Sequence, residues 1–445
     1  MTAKAIFAAM DKQPVSIFWF RRDLRLHDNA GLYHALRGGN PVVPIFIFDT
    51  NILEGLEEKH DKRVHFIHNA LATIQARLEG MGSTLHVLLG RPLDCFKQLL
   101  TEYKVAAVYT NHDYEPYAMQ RDRDVRLLME QHGAAFHSFK DQVIFEKDEV
   151  VKDNKEPYTV FTPYSRKWLE KLNDFYLKSY PTEKYFHHFH KHKARRLFSL
   201  ADIGFKPAPP ETLPAMLDEE IARHYDTTRD IPAVAGTTRL GVHLRFGTVS
   251  IRQLAARAKQ LNATLLNEFI WREFYQAILW HFPHVVNGCF KKEYDHIKWR
   301  NNEQEFELWC AGQTGYPIVD AGMRELNETG FMHNRVRMIV ASFLTKHLLI
   351  DWRWGEAYFA EKLLDYDLSA NNGNWQWAAG CGCDAAPYFR VFNPYLQTQK
   401  FDADLKYVRR WVPEFEGFTY PRPIVDHAVA RERCLRVYKE ALKPA

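Results

Sequence analysis

The chain has 445 residues, more than one hydrophobic core usually holds, so two domains are expected. A composition of 46% hydrophobic and 26% charged residues is that of a folded globular protein and excludes disorder and coiled coil; no apolar run is long enough to span a bilayer or to act as a signal peptide. The 59 basic and 55 acidic residues leave a net charge of only +4, which confines any nucleic-acid site to a local patch.

From Val15 to about Lys140 short apolar runs alternate with helical stretches. VSIFWF, VVPIFIFD, LHVLLG and VAAVYTN read as buried strands, with helices over 63–77 and 119–132. Such a βαβ series predicts an α/β domain over 1–140, a doubly wound parallel sheet (Rossmann-like) with a ligand crevice at the strands' carboxyl ends. FRRDLR follows the first strand where a GxGxxG would stand, so the dinucleotide fingerprint of an ordinary dehydrogenase is excluded. Residues 141–205 lose strand character and carry YFHHFHKHKARR. Four near-adjacent histidines (His187, His188, His190 and His192) without a spaced carboxylate or cysteine make a poor ligand set, so a solvated interdomain linker is expected here and no metal site. From 206 to 445 helical periodicity dominates, in 250–260, 266–280, 332–349 and 355–364, which predicts a larger all-helical domain. The six cysteines follow no zinc or disulfide spacing, which fits a reduced, cytoplasmic setting with no membrane association.

Several constellations in the helical half could carry chemistry. In LNEFIWREFYQ, Glu268, Trp271, Arg272 and Tyr275 share one helix face suited to stacking on an extruded base; the same spacing describes a helix packed through its aromatics with a salt bridge at its rim. MHNRVRMIVASF sets Asn334 and Met338 one turn apart, with Arg335 and Arg337 beside them. GTTRLG, from Gly236 to Gly241, offers two hydroxyls, an Arg and two glycines ahead of a helix, as phosphate binding or simple capping would require. Trp299, Trp352 and Trp375 carry easily oxidised indoles, with core packing the plain alternative for each. The stretch NNGNWQWAAGCGCDAAPYFRVFNP, from Asn371 to Pro394, reads as poor helix filler and as a wall for a flat, redox-active ligand.

Together the motifs resemble the photolyase/cryptochrome family over almost the whole chain. They are FWFRRDLRLHDN, YTVFTPYSRKWL, GTTRLGVHLRFG, NEFIWREFYQ, TGYPIVDAGMRELNETGFMHNRVRM, LLIDWRWGE and DYDLSANNGNWQWAAGCGCDAAPYFRVFNP. The resemblance is closest to the class I, bacterial-type members acting on cyclobutane pyrimidine dimers. It implies an α/β antenna domain and a helical domain holding FAD. By position, Tyr225, Thr237, Thr238, Arg239, Leu240 and Gly241 match the family's phosphate clasp. Asp365 and Asp367 match the acids near the flavin ring, Arg337 the partner of Asp365, and Asn371 the amide facing flavin N5. Trp375, Trp352 and Trp299 match the electron relay, in order from flavin to surface. Glu268, Trp271, Asn334, Met338 and Trp377 match the pocket of the dimer-repairing members, with Arg272 and Arg335 expected on DNA phosphates and Tyr275 on the same face.

Members that repair (6-4) photoproducts place two histidines where Asn334 and Met338 stand, and plant cryptochromes an acid where Asn371 stands; His333 is expected to be structural. The implied activity is therefore light-driven DNA repair by a carbon–carbon lyase. Excited, reduced FAD donates an electron to a flipped-out dimer, and Glu268 hydrogen-bonds the dimer's carbonyls. UV-damaged DNA is the expected partner and a monomer the expected form. The alternative is a cryptochrome-type blue-light photoreceptor. For the antenna, Tyr114 and Glu115 resemble the position where folate-binding members use a Glu, but the lysine those members present is replaced near Val286 and Asn287. That leaves methenyltetrahydrofolate, a deazaflavin, a second flavin or an empty pocket open.

Overall fold

The computed structural model describes residues 13–211, 213 and 215–443. The described residues divide into two compact units, one drawn from those within 13–144, 173–216 and 240–256, the other from 145–172, 217–239 and 257–443.

The first unit is α/β. Strands β1 (Val15–Phe20), β2 (Val42–Asp49), β3 (His86–Gly90), β4 (Val105–Asn111) and β5 (Ala135–Phe139) form one parallel sheet in the order β3-β2-β1-β4-β5. Helices α1 (Ala30–Arg37), α2 (Lys62–Glu79), α3 (Pro92–Glu102) and α4 (Pro116–Gln131) supply the crossovers. β1 and β2 are buried along their whole length, which is why they read as unbroken apolar runs. β5 escapes such a reading: AFHSF lies at the sheet edge, holds no fully buried residue and mixes polar with aromatic side chains. The chain winds outward through β1, β2 and β3, then returns to the other side of β1 with β4. The topological switch point therefore lies between β1 and β4, where parallel sheets open a crevice.

A buried ionic knot holds this unit together. Arg25 Nη2 donates to Asp141 Oδ2 at 2.8 Å, Arg252 Nη2 donates to Asp141 Oδ1 at 2.8 Å, and Arg252 Nε donates to Asp28 Oδ1 at 2.9 Å. All four side chains are buried. Burial alone would raise the Asp141 carboxyl, but the guanidiniums of Arg25 and Arg252 outweigh it and hold it down at about 2.

The stretch 141–205 does not stand apart as a solvated linker: its ends pack into the α/β unit and its middle, 145–172, into the helical one. The His-rich run is pinned to the sheet unit by backbone groups that polarity alone cannot reveal. Phe189 bridges Val42, the His190 N–H donates to Val42 O at 2.8 Å, and His188 donates from Nδ1 to Leu36 O at 2.6 Å. Arg195 pairs with Glu102 and reaches His86 Nε2 at 2.8 Å. No cluster among the described residues has three or more side chains placed to hold a metal ion.

The second unit is helical, with no strand among its described residues. Its functional part is built by α5 (Phe161–Lys171), α6 (Ala263–His281), α7 (Pro317–Thr329), α8 (Asn334–Ser342), α9 (Trp352–Lys362) and α10 (Leu368–Ala379) around a core holding Trp309, Trp352 and Trp375. The helix expected over 332–349 starts at Asn334, where His333 Nδ1 accepts from the Arg335 N–H, and ends in a π turn, Phe343–His347.

The reading of Asn371 onward as poor helix filler is corrected up to Ala379. Asp367 caps α10, its Oδ1 accepting from the Ser369 N–H at 3.2 Å and the Ser369 hydroxyl at 2.5 Å, and Gly380 ends the helix at φ 91°. Buried amides that would disfavour a helix find partners outside it: Asn372 and Gln376 both donate to Val285 O, at 3.0 and 2.9 Å. No helix among the described residues is long and apolar enough to cross a membrane.

The ionic knot yields a stability prediction. Asp141→Asn leaves two buried guanidiniums short of their shared counter-charge and should lower unfolding stability by about 3–5 kcal/mol. The Asp141 carboxyl lies below its ordinary 3.8, so its contribution is complete above that value and vanishes as pH falls toward about 2. Denaturation curves of the two proteins should therefore differ most at neutral pH and converge below about pH 4; a gap that stayed constant down to pH 2 would contradict it.

Candidate active site

The site is a solvent-open cavity in the helical unit, about 590 Å³ including its mouth. Its walls are α8, the turn leading into α10, and α10 itself, with Phe359 of α9 behind. It gathers Asn334, Arg337, Met338, Asp365, Asp367, Asn371, Trp375 and Trp377 from the residues singled out by sequence. The remaining α6 residues, Glu268, Trp271, Arg272 and Tyr275, sit on the helix packed against α10.

Close helix approach sets this geometry. A Cβ at Gly373 would stand 2.1 Å from the Tyr275 ring, so α10 meets α6 only because glycine stands there. On the other side, a Cβ at Gly355 of α9 would stand 2.1 Å from the Trp375 ring. Trp375 is thereby wedged between the cavity and the core, where it meets Trp309 edge-on at 6.1 Å and Phe359 at 5.0 Å. Trp352 starts α9 and is wholly buried, its indole N–H without an acceptor among the described residues. Trp299 is partly buried against Tyr438, ring centres 6.0 Å apart.

Polar groups on the walls are held by partners. Asn371 Nδ2 donates to both the carbonyl and the Oε1 of Glu356 at 3.0 Å, and burial pushes the Glu356 carboxyl up. Arg337 Nη2 donates to both oxygens of Asp365, at 3.2 and 3.1 Å, and Nε donates to Met332 O at 2.8 Å. His333, expected to be structural, is a buried cap whose imidazole is driven down to about 4 by burial. Trp271 stacks on Phe161 of α5 at 3.6 Å and 5° from parallel. Glu268 is paired with Arg229; burial raises its carboxyl and Arg229 opposes the rise.

Tyr225 begins a short helix, Tyr225–Thr228, with the Arg229 guanidinium 5.5 Å over its ring. Arg239 is left-handed at φ 51° with its guanidinium 4.1 Å over Phe331. Tyr225, Thr237, Thr238 and Arg239 belong to the helical unit, and Leu240 and Gly241 to the α/β unit.

Sequence reasoning missed Phe161, Glu356, Arg229 and Asp230. The only local signal was an Arg-Asp pair four residues after Tyr225. The residues present fit a flavin. The slot has aromatic and aliphatic walls, while three amides, two acids and a guanidinium line it, the mixture a flat heterocycle with polar edges requires.

A second cavity, about 840 Å³, lies within the α/β unit around the ends of β1 and β2. Trp19, Phe46, Phe48 and Phe246 line it, and at its edge Glu115 accepts from Arg22 at 2.9 Å and Arg245 at 2.6 Å.

The wedge at Gly355 can be tested directly. Gly355→Ala should destabilise the helical unit by about 1–3 kcal/mol through overpacking and change the near-ultraviolet circular dichroism of the displaced indole. Chemical denaturation with an unchanged midpoint would show that the contact yields freely.

Residues 16–184 match the family model described as DNA photolyase, and residues 265–419 the one described as the FAD binding domain of DNA photolyase. The deoxyribodipyrimidine photo-lyase of Agrobacterium fabrum is 36% identical over 96% of this chain and 98% of its own length. The crystal structure of a bacterial class III photolyase from Agrobacterium tumefaciens superposes with a TM-score of 0.87 at 35% identity, covering 97% of this chain and 98% of that one. An archaeal photolyase from Sulfolobus tokodaii, described with two FAD molecules, gives 0.78 at 34% identity over 96% of this chain and 99% of that one. Full-length similarity of this degree, on a chain with a parallel-sheet unit and a helical unit that holds an aromatic- and amide-lined cavity, means that the chain belongs to the DNA photolyase family.

Proposed function

We propose that this chain is a light-driven DNA repair enzyme that splits cyclobutane pyrimidine dimers in UV-damaged DNA, working as a cytoplasmic monomer. The observation that carries the reading is the composition of one cavity: the dimer-side residues Asn334, Met338 and Trp377 share walls with the flavin-side residues Asp365, Asn371 and Trp375. FAD, when bound, reduced and excited by light, supplies the electron that opens the cyclobutane ring and accepts it back.

The chain's own residues bind and orient. Trp377, with Met338 beside it, gives the turned-out dimer an apolar wall, and Trp271, braced by Phe161, gives α6 a rigid aromatic face. Glu268 hydrogen-bonds the dimer's carbonyls, and Asn334 offers an amide from the cavity wall. Asn371, whose Nδ2 is held by Glu356, would offer its amide oxygen to a bound flavin. Arg337 and Asp365 would hold the edge of a bound flavin, and Asp367 holds α10 in place as its cap. Tyr225, Thr237, Thr238 and Arg239 of the helical unit would hold the phosphates of FAD, where backbone N–H groups suit anionic oxygens. Trp375, Trp352 and Trp299 form the route by which electrons reach the flavin site from the surface; Trp375 lines the cavity, and the helix that starts at Trp352 presses Gly355 onto it. Arg272 and Arg335 hold phosphates of the damaged strand. An acid at position 371 would favour signalling; the amide favours repair.

The α/β cavity supports an antenna chromophore held wholly within that unit. Its aromatic lining suits a flavin or deazaflavin ring, and Glu115 is already engaged by Arg22 and Arg245. Acid extraction of purified protein should then release a second flavin-type chromophore beside FAD. Fluorescence of the extract matching one FAD per chain, with folate as the second absorber, would overturn that assignment.

The repair reading is tested by illuminating photoreduced protein with an oligonucleotide carrying one thymine dimer. Intact thymines should return only in the light and only from the dimer, not from a (6-4) substrate. Glu268→Ala should cut the yield per absorbed photon about tenfold or more, in line with the loss of one buried group that stabilises developing charge. Bound, reduced flavin without thymine recovery would hand the site to the photoreceptor alternative.

A further inference from the structure

Two adjacent residues outside the cavity tie its rim together by charge. Arg229 pairs with Glu268 of α6. Its neighbour Asp230 accepts from Arg335 Nη2 of α8 at 2.8 Å and lies 3.9 Å from Arg229. The result is a ladder of alternating sign, Glu268, Arg229, Asp230, Arg335. Its last member is folded against the site: the Arg335 guanidinium lies 4.3 Å over the Phe401 ring, and Nη1 is 3.6 Å from the Sδ of Met338, a cavity residue.

Exposure within the Asp230–Arg335 pair is uneven. The Asp230 side chain is 43% exposed and that of Arg335 only 17%. A polyanion approaching from solvent therefore meets the carboxylate before the guanidinium. A phosphate can take Arg335 only by displacing Asp230, and only if it comes down to the cavity wall where Arg335 lies.

We propose that Asp230 is a specificity-determining residue that works by repulsion, masking Arg335 from undamaged DNA. The inference rests on the DNA-repair reading of the cavity. A duplex with its bases stacked stays outside and faces the carboxylate. A strand whose damaged bases have turned into the cavity brings its phosphate down to Arg335, and that contact replaces the internal one. Asp230 thus weakens binding to undamaged DNA more than binding to the lesion, which is discrimination by a built-in penalty against the wrong partner.

The test is fluorescence anisotropy of the flavin-loaded, full-length protein on one oligonucleotide with and without a single thymine dimer, across a salt series. Asp230→Asn should tighten binding to the undamaged oligonucleotide about two- to fivefold, the worth of one partly exposed ion pair. The slope of log affinity against log salt should steepen by about one, because Arg335 then displaces a counterion without leaving a carboxylate bare. Dimer binding should gain less, so the ratio of the two affinities falls, and Asp230→Glu should restore it. In an Arg335→Ala background the gain from Asp230→Asn should disappear.

Unchanged or weaker undamaged-DNA binding by Asp230→Asn would overturn the proposal, as would a gain that persists in full without Arg335. Flavin content and melting temperature report whether the variant is folded, and Asp230→Ser is the second neutral variant if the amide disturbs the turn. A wild-type protein with no preference for the dimer would sink the repair reading, while the undamaged-DNA arm would still read the masking of Arg335.

Discussion

The helical unit depends on how closely α10 is pressed between its neighbours. With Gly373 against Tyr275 on one side and the Trp375 ring against Gly355 on the other, the helix has no room to rotate or slide. That constraint lets one short element serve several sites. Successive residues of a helix point about 100° apart, so Asn371 reaches Glu356, Trp375 enters the core and Trp377 faces the cavity from a single rigid rod. Anchored by the Asp367 cap at one end and the left-handed Gly380 at the other, the rod also has fixed termini. Preorganisation of this kind is what a site needs when the cofactor does the chemistry and the protein supplies position.

Exposure divides the ion pairs of this chain into two kinds. In the α/β unit, Arg25, Asp28, Asp141 and Arg252 close on one another out of contact with water, and no partner from outside can compete for them. Such a knot fixes the entrance to α1 and has no evident exchange chemistry. In the helical unit the pairs Arg229–Glu268, Arg335–Asp230 and Arg337–Asp365 are only partly covered. They satisfy each other in the free chain yet remain partly open to solvent. The desolvation that strengthens a pair in the interior would make it inert, while full exposure would make it worth almost nothing. Intermediate burial is the condition under which an internal partner can be exchanged for an external one.

These distinctions also mark what could be read from the chain alone. The central strands were legible because a fully buried parallel strand must be apolar at every position, and the long helices because one face repeats every turn. Edge strand β5 was not, since AFHSF carries no such pattern. Helix α10 was misread because its amides and glycine lower helix propensity, and only tertiary partners such as Val285 reverse that preference. Cavity residues on α8 and α10 were visible as ordered motifs, those of α8 also by their helical spacing and those of α10 by family resemblance alone. Their partners were not: Arg229 stands 39 residues from Glu268, and Asp230 stands 105 from Arg335. A charged side chain in a turn looks like any solvated surface residue until the fold sets it against an opposite charge. The side chains that line the cavity were therefore legible in sequence, whereas the charges paired with Glu268 and Arg335 exist only once α6, α8 and the 225–230 turn have been packed together.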